Sequence, residues 1–276
     1  MGVNTPIRRR YVDVPFGQMH VATTEPSTGA QKPPIVLLHQ TPRSWDEYAE
    51  VLADLGTRRR LIVPDLPGMG ASDPHPYGST IEAFGAGVLA VLDALHVERF
   101  DLVGHHTGGV VAIELAAVVG PRVRRLVLSS TPYVDADGRA RRQDGSHRVD
   151  DVALQPDGQH LVGLWQGRHA FYPDGRPDLL ARFVRDALRA EAPAEGHRAV
   201  GSYEMERRLP DIAADAVLIV GHDADPYAFK ELEPLEQALI AAGAPKPQTS
   251  VIRNGHVPLE FTAAAFVAAI EPFLGR

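Results

Sequence analysis

Short apolar runs that end in polar, chemistry-bearing residues constrain this chain more than anything else in it. PPIVLLHQ (residues 33–40) is uninterrupted from Pro33 to Leu38, too short for a helix and too apolar for a strand with one face in water. Such a run is buried on both faces, as in a parallel sheet covered by helices. RRLIVPD, RFDLVGHH, RRLVLSS, AVLIVGHDADP and TSVIRNGH follow as further strands. Between them lie segments with helical periodicity. Trp45, Tyr48, Val51, Leu52 and Leu55 form one stripe that ends at Gly56, and Phe84, Val88, Leu92 and Leu95 form another, capped by Thr80. Strand and helix in alternation predict an α/β fold, a doubly wound, mostly parallel sheet with right-handed crossovers. RRRYVDVPFGQMHVATT adds two short strands around a turn at Phe16, Gly17 and Gln18 ahead of the first parallel one.

The pattern breaks once. From Pro132 to Leu209 strand-like runs disappear, and HLVGLWQGRHAFY and PDLLARFVRDALRAEA carry helical spacing. The division expected is a core of residues 1–131 and 210–276, with residues 132–209 inserted after the sixth strand as a helical lid. The arginines from Gly138 to Arg148 belong either to a mobile part of that lid or to its solvated surface.

Composition narrows the functions. A net charge of −7 argues against a nucleic-acid surface, and the triplets Arg8 to Arg10 and Arg58 to Arg60 read as solvated strand-edge residues. The chain has no cysteine, which excludes disulfides, thiolate ligands and thiol nucleophiles. MGVNTPIRRRYVDV lacks an apolar core of signal-peptide length and no run is long enough to span a membrane, so a cytoplasmic protein without membrane association is expected. GMGASD lacks the third glycine of a dinucleotide loop and no P-loop is present, so no cofactor is expected. The expected partner is a small-molecule substrate, and a homodimer stays open.

Loops at the carboxyl ends of parallel strands converge on one crevice. Four of them carry LLHQTPRS, VGHHTGG, VGHDADP and RNGHVP. In VGHHTGG, the glycines 104, 108 and 109 bracket His106, the spacing of a tight strand-to-helix turn that lifts one side chain to its apex. Thr107 opens the helix, where backbone N–H groups favour developing negative charge.

The order of strand, G-x-nucleophile-x-G elbow, helix, lid, late aspartate and final histidine resembles the α/β-hydrolase superfamily, over nearly the whole chain from about residue 8. LLHQTPRSW is similar to the family's oxyanion loop, DLPGMGASD to the loop after its next strand, and NGHVPLEF to the segment with its catalytic histidine. The resemblance implies the α/β-hydrolase fold and the catalytic set His106, Asp225 and His256, in the positions of nucleophile, acid and base. Asp223 competes with Asp225 within the same GHDADP. Two residues depart from the family pattern. His106 stands where serine, aspartate or cysteine is usual, and Gln40 stands where a glycine is usual, either obstructing the oxyanion hole or lending it an amide.

A metal-free esterase or lactonase acting on a small, partly apolar substrate is the reading these residues favour. His106 is its nucleophile or its general base, and Gln40, Thr41 and Thr107 serve the oxyanion. Trp165, Phe171 and Tyr172 line the pocket from the lid or pack the lid's own core. Three other readings stay open: a cofactor-free lyase or carbon–carbon-cleaving enzyme with two histidines as acid and base; a non-catalytic receptor; and a metal site built on His106, His256 and Asp225.

Overall fold

β1 (Arg8–Val14) and β2 (Gly17–Thr24) form an antiparallel hairpin whose register pairs Val14 with Gly17 across a two-residue turn. The computed structural model describes residues 6–26, 32–142 and 149–275, and the side chains of residues 141 and 142 fall outside that description. Most of the arginine-bearing stretch between Gly138 and Arg148 therefore lies outside the described residues.

The remaining elements follow the sequence pattern. β3 (Ile35–Leu38), α1 (Ala49–Leu55), β4 (Leu61–Pro64), α2 (Ile81–Ala94), β5 (Phe100–His105), α3 (Thr107–Val119) and β6 (Val123–Ser129) precede the strand-free segment. That segment carries α4 (Ala136–Arg142), α5 (Gln159–His169), α6 (Pro177–Ala187) and α7 (Glu195–Ser202). β7 (Ala216–His222), α8 (Leu232–Ala241), β8 (Gln248–Ile252) and α9 (Ala263–Gly275) complete the chain. Thr80 caps α2 as expected, its hydroxyl accepting from Ala83 N–H at 3.1 Å.

The eight strands form one sheet in the order β1-β2-β4-β3-β5-β6-β7-β8, parallel from β4 to β8 and antiparallel around β2. β3 and β4 are wound one way and β5 to β8 the other, so the winding reverses between β3 and β5. A crevice opens outside the carboxyl ends of the strands at such a reversal. The loop after β3 and the apex after β5 flank it.

β3, β4 and β5 are buried at every position, which is why they read as continuous apolar runs. One core, with Val88, Leu92, Val110, Leu115 and Leu235, packs α2, α3 and α8 against one face of the sheet. The other, with Val51, Leu52, Phe266 and Ile270, packs α1 and α9 against the opposite face. α5 and α6 share a smaller core of Leu164, Tyr172, Leu179, Leu180, Phe183 and Ala187.

The arginine triplets divide. Arg8, Arg9 and Arg10 are exposed on the edge strand, as expected. Arg59 is not solvated: its guanidinium is buried, lies 2.7 Å from the buried Asp101 carboxylate and donates to Leu274 C=O at 3.1 Å. A charge inside costs far less once paired and hydrogen-bonded, and Asp101 lies 42 residues away, beyond any local pattern.

Candidate active site

β5 runs straight into α3 through a single residue, His106, at φ 47° and ψ −117°. A side chain in that region is strained, and such strain persists where the surroundings dictate it, commonly at functional sites. The glycines set the surroundings. A Cβ on Gly104 would lie 2.1 Å from Gly108 O, on Gly108 2.0 Å from Leu38 O, and on Gly109 2.0 Å from Thr131 Oγ1. Only glycine lets strand, helix and neighbouring loops close this tightly, and the closure holds the His106 ring at the crevice.

Asp225, after β7, reaches that ring. His106 Nε2 lies 2.7 Å from Asp225 Oδ2, whose side chain is fully buried. The contact is a close charge–dipole pair with the carboxylate off the N–H axis. Asp225 Oδ1 accepts from Tyr227 N–H at 2.9 Å and Ala228 N–H at 3.2 Å. Burial alone would raise the carboxyl group; the His106 charge, the close approach of its ring and these backbone donors outweigh burial and hold it well below the usual carboxylate range. Asp223 points elsewhere, 3.3 Å from Arg253 Nη1.

The third expected member is placed apart. His256 is half-buried, its ring edge-on to Phe261 at 5.4 Å, and it does not line the crevice. Asp225 Oδ1 is taken by backbone N–H groups, and the ring that lies beside Oδ2 is that of His106. The set His106, Asp225 and His256 does not assemble into a metal-ligating group among the described residues.

Two other imidazoles back the elbow. His105 Nε2 lies 3.0 Å from Val257 O, which can only accept, so Nε2 carries the hydrogen and Nδ1 takes the Ser129 hydroxyl hydrogen at 3.0 Å. Ser129 Oγ is then free to accept from His222 Nε2–H at 3.3 Å. Burial, with the charge of neighbouring histidines, pushes both His105 and His222 down to about 3, so they stay neutral.

The crevice is a cavity of about 640 Å³ whose wall includes Gln40, Thr41, His106, Thr107 and Val257. Gln40 is committed internally: its N–H donates to Glu47 at 2.9 Å and its side-chain amide to Glu47 and to Val257 O. By contrast, the N–H groups of Thr41 and Thr107 have no hydrogen bond among the described residues. Trp165, Phe171 and Tyr172 do not line the cavity. Tyr172 lies inside the α5–α6 core with Trp165 and Phe171 packed against it, while Phe171 also backs the wall residue Tyr227 at 4.7 Å.

Among the wall residues that sequence reasoning missed, two form a polar pair. Arg168 and His197 belong to α5 and α7 and share no local motif, yet both reach the cavity. A signal existed for the first: Arg168 lies four residues after Leu164 on the buried stripe of α5.

Behind the oxyanion loop, the fully buried Arg43 ties three segments together. Its guanidinium lies 3.0 Å from Asp186 on α6, 2.7 Å from Glu260 in the turn before α9 and 3.9 Å from Glu47. Burial chiefly, and the nearby Glu47 charge, push Glu260 up to about 7 against the pull of Arg43. The folded state thus holds a proton that the unfolded chain releases near pH 4.5. Stability from this group is present in full below pH 4.5, falls as pH rises towards 7, and is lost above it, by about 3 kcal/mol. His105 and His222, depressed to about 3, tilt stability the opposite way between about pH 3 and 6.5. The readout is therefore a difference: urea denaturation of Glu260→Gln is expected to show stability rising with pH relative to the parent between pH 4.5 and 7, and parallel curves would contradict the proton's location.

Known proteins share this fold. A family model described as alpha/beta hydrolase fold matches residues 33–189, more than half of the chain. The chain is 37% identical over 99 residues to the 2-hydroxy-6-oxo-2,4-heptadienoate hydrolase of Pseudomonas putida, covering 34% of this chain and 36% of that protein. It is 30% identical over 138 residues to haloalkane dehalogenase 2 of Mycobacterium tuberculosis, covering 50% of this chain and 46% of that one. These matches span less than half of each relative. The solved enol-lactonase of Burkholderia xenovorans superposes with a TM-score of 0.73 at 21% identity, covering 97% of this chain and 100% of that one, which is a likeness of fold. The elbow, the sheet order and the family match together establish that this chain belongs to the alpha/beta hydrolase fold family.

Proposed function

We propose that this protein is a hydrolase of a small, partly apolar ester or lactone, with His106 as general base and Asp225 as its fixed partner. The observation that carries the reading is the 2.7 Å approach of His106 Nε2 to Asp225 Oδ2 on the cavity wall. A carboxylate accepts, so Nε2 holds the ring's hydrogen and Nδ1 keeps its lone pair. Nδ1 takes a proton from water, the resulting hydroxide adds to the substrate carbonyl, and the Thr41 and Thr107 N–H groups receive the oxyanion. When the tetrahedral intermediate collapses, the departing alkoxide takes the proton back from His106 and the ring returns to its starting state.

Base catalysis is preferred over covalent attack because the freer imidazole nitrogen, Nε2, is committed to Asp225, whereas Nδ1 is crowded by its own Cβ. The names of similar proteins, a dienoate hydrolase and an enol-lactonase, support hydrolytic chemistry. The helical segment fits a lid, since Arg168, His197 and Val200 help wall the cavity. Its substrate is a small molecule, and no described helix is long and apolar enough to cross a membrane.

Rapid-quench mass spectrometry during turnover of aryl esters tests the chemistry. Unmodified protein at every time point, with product released without a burst, is expected. An acyl group on the His106 peptide would replace the base with a nucleophile.

A further inference from the structure

A second carboxylate–imidazole pair faces the same cavity. Asp150, at the positive φ of 59°, takes Arg168 Nε–H on Oδ1 at 2.8 Å, while Oδ2 accepts from Arg168 Nη2 and lies 2.8 Å from His197 Nε2. Arg168 Nη2 also lies 3.0 Å from His197 Nε2, but the shorter contact, 2.8 Å to the Asp150 carboxylate, needs a donor, so Nε2 carries the hydrogen and Nδ1 a lone pair. Arg168 is 5% exposed and His197's side chain 25% exposed, and both are on the cavity wall. Two polar positions are left over: Arg168 Nη1 and His197 Nδ1 have no hydrogen-bond partner among the described residues. One is a donor, the other an acceptor.

We propose that Arg168 and His197, locked by Asp150, form a recognition site for a substrate hydroxyl, which donates to His197 Nδ1 and accepts from Arg168 Nη1. The inference rests on the hydrolase reading and names its substrate class: esters or lactones with a hydroxyl set away from the reacting carbonyl. A hydroxyl satisfies both positions with a single atom, donating to one and accepting from the other. A methyl group leaves both unpaired. A carboxylate meets the Nδ1 lone pair, and it gains little from an arginine already matched by Asp150, with Asp225 adding negative charge behind His106. Burial holds His197 below its ordinary range and a charge on His106 opposes one on His197, so His197 stays an acceptor while His106 carries the proton in turnover.

The test uses p-nitrophenyl esters of alkanoates and of their ω-hydroxy counterparts, two to six carbons long, with the parent, His197→Phe and His197→Asn. Thermal melts establish that each variant is folded. At one chain length the parent is expected to favour the hydroxy ester by about 10- to 100-fold in kcat/KM, the cost of stranding a desolvated donor and acceptor. The ratio is expected to fall to about 1 in His197→Phe and to recover in part in His197→Asn, whose amide places a polar atom near Nδ1. A parent without preference at any length, or a preference that survives His197→Phe, overturns the site while leaving the hydrolase reading intact. Should no ester turn over, 15N spectra of the histidine-labelled parent titrated with methyl 6-hydroxyhexanoate and methyl hexanoate separate the two ideas. A shift at His197 Nδ1 with the hydroxy ester alone keeps the hydroxyl site and discards hydrolysis; no shift discards both.

Discussion

Replacing His106 with serine is expected to lower ester turnover by about 10²- to 10⁴-fold, the usual worth of a positioned general base, and not to create a serine esterase. A serine hydroxyl needs a neighbouring imidazole to take its proton, and the ring removed by the substitution is the one beside Asp225. His256 does not take its place, since it is off the cavity wall with its ring against Phe261. Steady-state kinetics on the esters, together with labelling by a fluorophosphonate probe, check both halves of the expectation. Serine at position 106 that reacts rapidly with the probe and shows a burst would mean that His256 reaches the site, and the two-residue reading of the machinery would fall. Asp225→Asn is the companion variant, because it keeps the shape of the side chain and removes the anion beside the ring.

The second large effect falls on stability. Arg43→Met is expected to cost about 3–5 kcal/mol, because it leaves Asp186, Glu47 and Glu260 buried beside one another with their common cation gone. Urea denaturation measures the loss, and adding Glu260→Gln to the Met variant is expected to restore part of it. A loss below 1 kcal/mol would mean that the cluster is hydrated or already neutral. The effect reaches the site as well, since Arg43 joins the loop bearing Thr41 to α6 and to the turn before α9.

The parallel strands, the helices between them and the interruption after β6 were legible in the sequence because each depends on local patterning: unbroken apolar runs, a 3.6-residue stripe, glycine at fixed offsets. Gly104, Gly108 and Gly109 announced the elbow because no other residue tolerates contacts of that length. The pairing inside the site was less legible. Motif order placed Asp225 against His256, but order along a chain does not record that an imidazole at the apex is long enough to reach the acid itself. Arg59, Arg43 and Arg168 were hidden for a related reason: a buried arginine is acceptable when a carboxylate waits for it, and Asp101, Glu260 and Asp150 come from other elements. Gln40 was open to two readings, obstructing the oxyanion hole or lending it an amide, and the partner that takes its amide, Glu47, lies seven residues on.

The string of donors from His222 through Ser129 to His105 and the Val257 carbonyl runs in a single direction, with each hydrogen assigned by the next acceptor. None of its members gains or loses charge in the range where His106 would work. The partition behind the apex is consequently an electrically silent backdrop to the imidazole that the strained backbone of residue 106 holds beside one fixed anion.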